Sequence, residues 1–150
     1  MTDIFLVLLL SGSALLSTAQ PLDNPVHWTY TAQTSGDGEI ELVFTANIEP
    51  GWYLYSQYIG DDGPVPTSIV FYENEGYSLM EETREEGHKV EGMDNLFGMY
   101  IAKFKEEAVF RQRVKVKKGL QSIAGYVEFM TCDEEKCLPP TQVEFTFTFE

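Results

Sequence analysis

Basic residues are scarce in this chain: 10 lysines and arginines stand against 24 aspartates and glutamates in 150 residues, a net charge of −14. Such a polyanion cannot hold nucleic acid through its phosphates, because each contact needs a Lys or Arg to release a counterion. Anionic lipid repels it for the same reason. Long apolar runs are scarce too. Ile4–Leu10, with Ala14–Leu16 behind it, is broken by Ser11-Gly12-Ser13 and falls short of the roughly 20 residues that a spanning helix needs. It ends in Ser17-Thr18-Ala19, small residues at the positions a signal peptidase reads, so residues 1–19 are expected to be a signal peptide and residues 20–150 the mature domain. No cysteine at the cleavage point offers a lipid anchor. The expected location is periplasmic or secreted, without direct membrane insertion.

Signs of hydrolase or transferase chemistry are also missing. The two histidines, His27 and His88, have no identifiable nucleophile beside them, and the carboxylates are too many to single out a pair. Gly36-Asp37-Gly38 leads into a strand, not the helix that a phosphate-cradling loop would open. No repeat, linker or second domain interrupts the chain.

Hydrophobic residues make up 43% and aromatics 13% of the chain, enough for a packed core and against a disordered tail. Their period is two. Ile40, Leu42, Phe44 and Ala46 fall on one face, as do Ala108, Phe110, Gln112, Val114 and Val116, and then Val143, Phe145, Phe147 and Phe149. Further runs at His27–Ala32, Trp52–Tyr55, Thr67–Tyr72, Tyr100–Phe104 and Gln121–Met130 are separated by turns such as Glu49-Pro50-Gly51 and Lys117-Lys118-Gly119. Eight or nine short strands without an amphipathic helix predict an all-β, two-sheet antiparallel sandwich. Residues 73–92 are left open: the acidic run Glu81–Glu86 suits either a helical turn or a solvated strand edge.

Only two cysteines exist, with four residues between them, in Thr131-Cys132-Asp133-Glu134-Glu135-Lys136-Cys137-Leu138-Pro139-Pro140. They are too close in sequence to join two sheets across a core as an immunoglobulin disulfide does. A bridge between them would close a loop worth roughly 2 kcal/mol of chain entropy, against ~3 for a fifteen-residue loop, so stapling is a weak reason for the spacing. A reversible dithiol is a better one, since two sulfurs on one short loop meet and part with little backbone change. A static hairpin disulfide remains an alternative. Zinc would need His27 and His88 as further ligands, and a thioredoxin-type centre would need Cys-x-x-Cys opening a helix. Three carboxylates against Lys136 between the sulfurs predict a raised thiol pKa and slow reaction outside a docked complex.

Pro50-Gly51-Trp52-Tyr53-Leu54-Tyr55, Asp94-Asn95-Leu96-Phe97-Gly98 and the stretch from Tyr126 through Cys132, Cys137 and Pro139-Pro140 resemble the N-terminal periplasmic domain of the thiol:disulfide interchange protein DsbD. The resemblance covers nearly the whole mature chain. It implies an immunoglobulin-like antiparallel β-sandwich with a small active-site subdomain, in which Cys132 and Cys137 shuttle between disulfide and dithiol. Cys137 would form the mixed disulfide with a partner and Cys132 would resolve it. Tyr53 and Tyr55 would flank the pair, and the loop of Asp94, Asn95, Leu96 and Phe97 would cap it, with Phe97 over the sulfurs and Gly92 and Gly98 letting the loop swing.

The implied partners are a thioredoxin-like electron donor domain, fed through a membrane reductase, and oxidised periplasmic thiol proteins such as disulfide isomerases and cytochrome c maturation thioredoxins. The implied activity is protein-disulfide reductase or interchange chemistry in a monomer, with no metal or organic cofactor. Because membrane-spanning and thioredoxin-like segments are absent from this sequence, a stand-alone domain meeting its donor by diffusion is expected. The competing expectation is a non-catalytic immunoglobulin-like binding module with a permanent structural disulfide.

Overall fold

The computed structural model describes residues 24–149, so the expected signal peptide lies outside the described residues. The alternating runs become strands: β1 (Val26–Gly36), β2 (Glu39–Ile48), β3 (Tyr53–Tyr55), β4 (Ser68–Phe71), β5 (Tyr77–Asp94), β6 (Met99–Val116), β7 (Ser122–Phe129), β8 (Thr131–Cys132) and β9 (Thr141–Thr148). One sheet runs β1-β2-β6-β3-β8, with β5 on the other edge of β6; the second runs β4-β7-β9. Every pairing is antiparallel. No helix among the described residues is long and apolar enough to cross a membrane.

Alternation decides what faces inward. Leu42, Phe44 and Ala46 from β2 and Ala108, Phe110 and Val114 from β6 are fully buried against Ile123, Val127 and Phe129 of β7 and Phe145 and Phe147 of β9. Phe44 sits edge-on to Phe145 at 4.8 Å and to Phe147 at 5.5 Å, arrangements that add to burial itself. This is the antiparallel sandwich that the sequence pattern predicts, with the immunoglobulin-like architecture.

Tyr100–Phe104 and Ala108–Val116, two runs in sequence, form one strand, β6. β2 follows its C-terminal half, from Glu107 to Lys115, and β3 its N-terminal part at Lys103 and Phe104. Between the halves the chain kinks: β5 passes from Gly87, opposite Ala108, to Lys89, opposite Phe104, so that His88 faces three residues of β6. Glycine is required here. Gly87 has φ +138°, and a Cβ would stand 2.4 Å from the Glu107 carbonyl oxygen and 2.9 Å from Ala108 Cα.

Residues 73–92 resolve to extended structure from Tyr77 onward. The acidic run is a strand because its countercharges stand across the ladder: Glu81 pairs with Arg113 at 3.2 Å and Glu86 with Arg111 at 2.6 Å. Glu81-Glu82-Thr83 bulge out opposite Gln112. The buried Gln112 amide donates to the Met80 and Glu81 carbonyls and accepts from the Thr83 hydroxyl, so the bulge leaves that polar side chain satisfied.

Candidate functional site

Leu54 points into the main core, so its neighbour Tyr55 points to the other side of the larger sheet. There, beyond the kink, a second cluster forms from Tyr55, Ile101 and Cys132, with Ile59, Phe97, Met99, Met130 and Cys137 packed against it. This is the small subdomain.

The cysteines are joined to each other, with Cα atoms 4.0 Å apart. They face one another across an isolated antiparallel bridge. Leu138 N–H donates to the Thr131 carbonyl and Asp133 N–H to that of Lys136, both at 2.9 Å, so the bridge is a non-hydrogen-bonded rung, where antiparallel Cα atoms come closest. Asp133 makes the turn that closes this cysteine hairpin. Its Oδ1 accepts from the N–H groups of Glu135 (2.8 Å) and Lys136 (2.7 Å), as an aspartate opening a turn does. Those two donors pull its carboxyl below the usual range.

β3 braces the hairpin. Tyr53 pairs with Cys132 and Leu54 with Thr131, while the Thr131 hydroxyl donates to the Tyr53 carbonyl at 2.7 Å and the Thr67 hydroxyl to the Tyr55 carbonyl at 2.6 Å. Beyond β3, the buried Glu85 carboxylate accepts from Ser56 Oγ (2.5 Å) and Gln57 N–H (2.9 Å) and meets Lys89 at 3.1 Å. The chain leaving Tyr55 is thereby fixed to β5.

At the tip of the β5–β6 hairpin, Asp94, only 3% exposed, organises the cap turn. Its Oδ1 accepts from the N–H groups of Leu96 (2.9 Å) and Phe97 (3.3 Å), its carbonyl from Gly98 N–H (2.8 Å), and its Oδ2 from Lys103 Nζ (2.9 Å). Gly98 closes the turn at φ +64°, a region glycine enters freely. Burial works to raise the Asp94 pKa, but the Lys103 ammonium and the two N–H donors outweigh it and hold the carboxyl below its ordinary value.

The expected site residues separate by position. Phe97 packs on the sulfur-bearing cluster and meets Tyr55 edge-on at 5.9 Å. Tyr55 is fully buried; burial first, and then the Asp94 charge, push its hydroxyl far above the ordinary value. That hydroxyl has no hydrogen-bond partner among the described residues. Tyr53 lies over the hairpin, its hydroxyl donating to Glu134 Oε1 at 2.8 Å, which raises its pKa. Asn95 and Leu96 point outward and take no part in the cluster. Gly92 stands inside the ladder opposite Ile101, while Gly98 lies in the turn itself. His27 and His88 face Glu49 and Glu106, each at 3.0 Å, away from the sulfurs.

Lys103 escapes a sequence reading. It lies 4.1 Å from the centre of the Tyr53 ring and reaches Asp94, yet only strand register brings the three together. A polar cavity of about 40 Å³ lies between cap turn and hairpin, lined by Asp94, Asn95, Lys103, Asp133 and Glu134 among others.

Chemically, the two sulfurs differ. Cys132 is wholly buried and Cys137 half-buried, so Cys137 is the more exposed member of the pair.

A family model described as thiol:disulfide interchange protein DsbD, N-terminal, matches residues 18–148. Among solved structures, the chain is similar to the N-terminal periplasmic domain of ScsB from Proteus mirabilis, with a TM-score of 0.65 and 18% identity over 87% of this chain and 49% of that one. It therefore spans about half the length of that ScsB chain. The Neisseria meningitidis DsbD n-terminal domain in the reduced form aligns with a TM-score of 0.48 and 16% identity over 87% of this chain and 90% of the other. Curated proteins yield no match.

Proposed function

Because the chain belongs to the family of DsbD N-terminal domains, we propose that it is a thiol–disulfide exchange protein working through Cys132 and Cys137. The observation that carries this reading is the asymmetry of the bridge: a disulfide on a short hairpin, with one cysteine wholly buried and the other half-buried. In the accepting half-reaction, a thiolate of a thioredoxin-like donor attacks Cys137 Sγ. The S–S bond breaks and Cys132 leaves as a thiolate that takes up a proton. The donor's second thiolate then attacks its own sulfur in the mixed disulfide and releases Cys137 as a thiol. Two electrons and two protons have moved, and the donor is left as a disulfide.

In the delivering half-reaction, Cys137 attacks the disulfide of an oxidised protein, and Cys132 resolves the mixed disulfide, releasing that protein reduced. Phe97 and the cap turn shield the sulfurs between encounters. With residues 1–19 acting as a signal peptide and residues 20–150 as the mature domain, these encounters take place in the periplasm. The donor is a thioredoxin-like domain, and the acceptors are oxidised periplasmic thiol proteins, including those of cytochrome c maturation.

The test is the reduction potential of Cys132–Cys137, read by thiol trapping after equilibration in graded redox buffers. A value among exchange proteins, roughly −270 to −120 mV, is expected. One below about −300 mV would mark a permanent structural bridge and transfer the reading to a non-catalytic binding module.

A further inference from the structure

One unbroken line of side chains joins the cap turn to the cysteine hairpin. Asp94 holds the N–H groups of Leu96 and Phe97 with one oxygen and Lys103 Nζ with the other. The Lys103 ammonium lies over the Tyr53 ring, and the Tyr53 hydroxyl holds Glu134, in the turn between the sulfurs. The ends of this line are the cap turn, whose Phe97 packs on the sulfur-bearing cluster, and the turn between the two cysteines. Lys103 is its middle. Its side chain is 18% exposed and that of Asp94 2%, so water competes little for the ion pair, and removal of the ammonium leaves a buried carboxylate without its cation.

We propose that Lys103 is a positioning residue that latches the cap turn to the cysteine hairpin through Tyr53, keeping Cys137 covered until a partner breaks the line. The inference rests on the exchange reading, since a covered sulfur matters only if the sulfur reacts. A docking partner must then displace either Glu134 from Tyr53 or Asp94 from Lys103. A small thiol lacks the surface to do this, so free reductants are slowed more than a docked protein.

Dithiothreitol serves as the probe. Its thiolate attacks Cys137 Sγ and expels Cys132. Its second sulfur then closes the six-membered cyclic disulfide and releases Cys137, so that the reagent loses the two electrons that the protein gains, and its two thiol protons end on the cysteines. Lys103→Met keeps the aliphatic stem and removes the charge. The variant is expected to be reduced roughly five- to tenfold faster than the parent, between what exposed and fully buried pairs provide. Lys103→Arg, which can both stack on Tyr53 and bind Asp94, should restore the parent rate; a merely structural lysine would show no such rescue.

Tyr53→Phe, which keeps the ring and cuts only the bond to Glu134, should also accelerate reduction. Combined with Lys103→Met it should add nothing further, because one line is already broken. Parent-like rates in both single variants overturn the latch, as does a double variant whose acceleration is the product of the two. Should Lys103→Met fail to fold, Tyr53→Phe alone decides between these outcomes. A bridge that resists dithiothreitol in the parent and in every variant instead removes the exchange reading itself.

Discussion

Asp94 is the residue on which the site turns, since it alone touches the cap backbone, Lys103 and the surroundings of the Tyr55 hydroxyl. Its carboxyl is held below the ordinary value of 3.8. A depressed carboxylate pKa contributes stability that is fully present above the unfolded-state value and is lost as pH falls through the folded-state value. The cap is accordingly expected to stay latched from neutral pH down to about pH 4 and to loosen only below that. Thermal melts of parent and Asp94→Asn between pH 7 and pH 2.5 check this. The parent's advantage in stability over the variant should shrink only at the acid end, and a difference that shrank already near pH 6 would contradict the assignment. The resemblance places Asp94 in the cap, but nothing in the local sequence marks it as buried; its burial comes from the strands brought beside it.

Among the elements, the paired strands β5 and β6 carry the site, and their kink sets where it stands. Gly87 is the residue that permits the bend, because no side chain fits between it and the Glu107–Ala108 backbone. Gly87→Ala should cost at least about 1–3 kcal/mol, as a strained backbone position does. Urea unfolding would measure it, and a variant as stable as the parent would show that the kink absorbs a Cβ without strain. Strand β5 also shows where sequence pattern stops being informative. Glu81–Glu86 carries no alternation of its own, and the arginines that make it a strand, Arg111 and Arg113, arrive some thirty positions later. By contrast, Ile123, Val127 and Phe129 declare their strand locally, because every second residue is apolar and buried.

Across the whole molecule, the sandwich was legible because burial on one face writes a period of two into each run, and the sulfur pair because two cysteines had one partner each. The cap segment was legible only through its resemblance to a known family. What joins cap to sulfurs was not, since Lys103, Tyr53 and Glu134 meet by register across three elements that share no local pattern. The same organisation bears on how the molecule opens. Strand β6 passes uninterrupted from the aromatic core to the cap; beyond the break in register near Glu106, Phe104 still packs into that core, while Ile101 and Met99 belong to a much smaller cluster. Amide protons should report two opening free energies along one strand: slow exchange with deuterium at Phe110–Val114 through global unfolding, and faster exchange at Ile101–Lys103 through a local event that stops at the kink. A domain built this way is expected to part its sulfur-bearing end while the other end stays shut, the boundary lying where Gly87 and the three residues opposite His88 break the register.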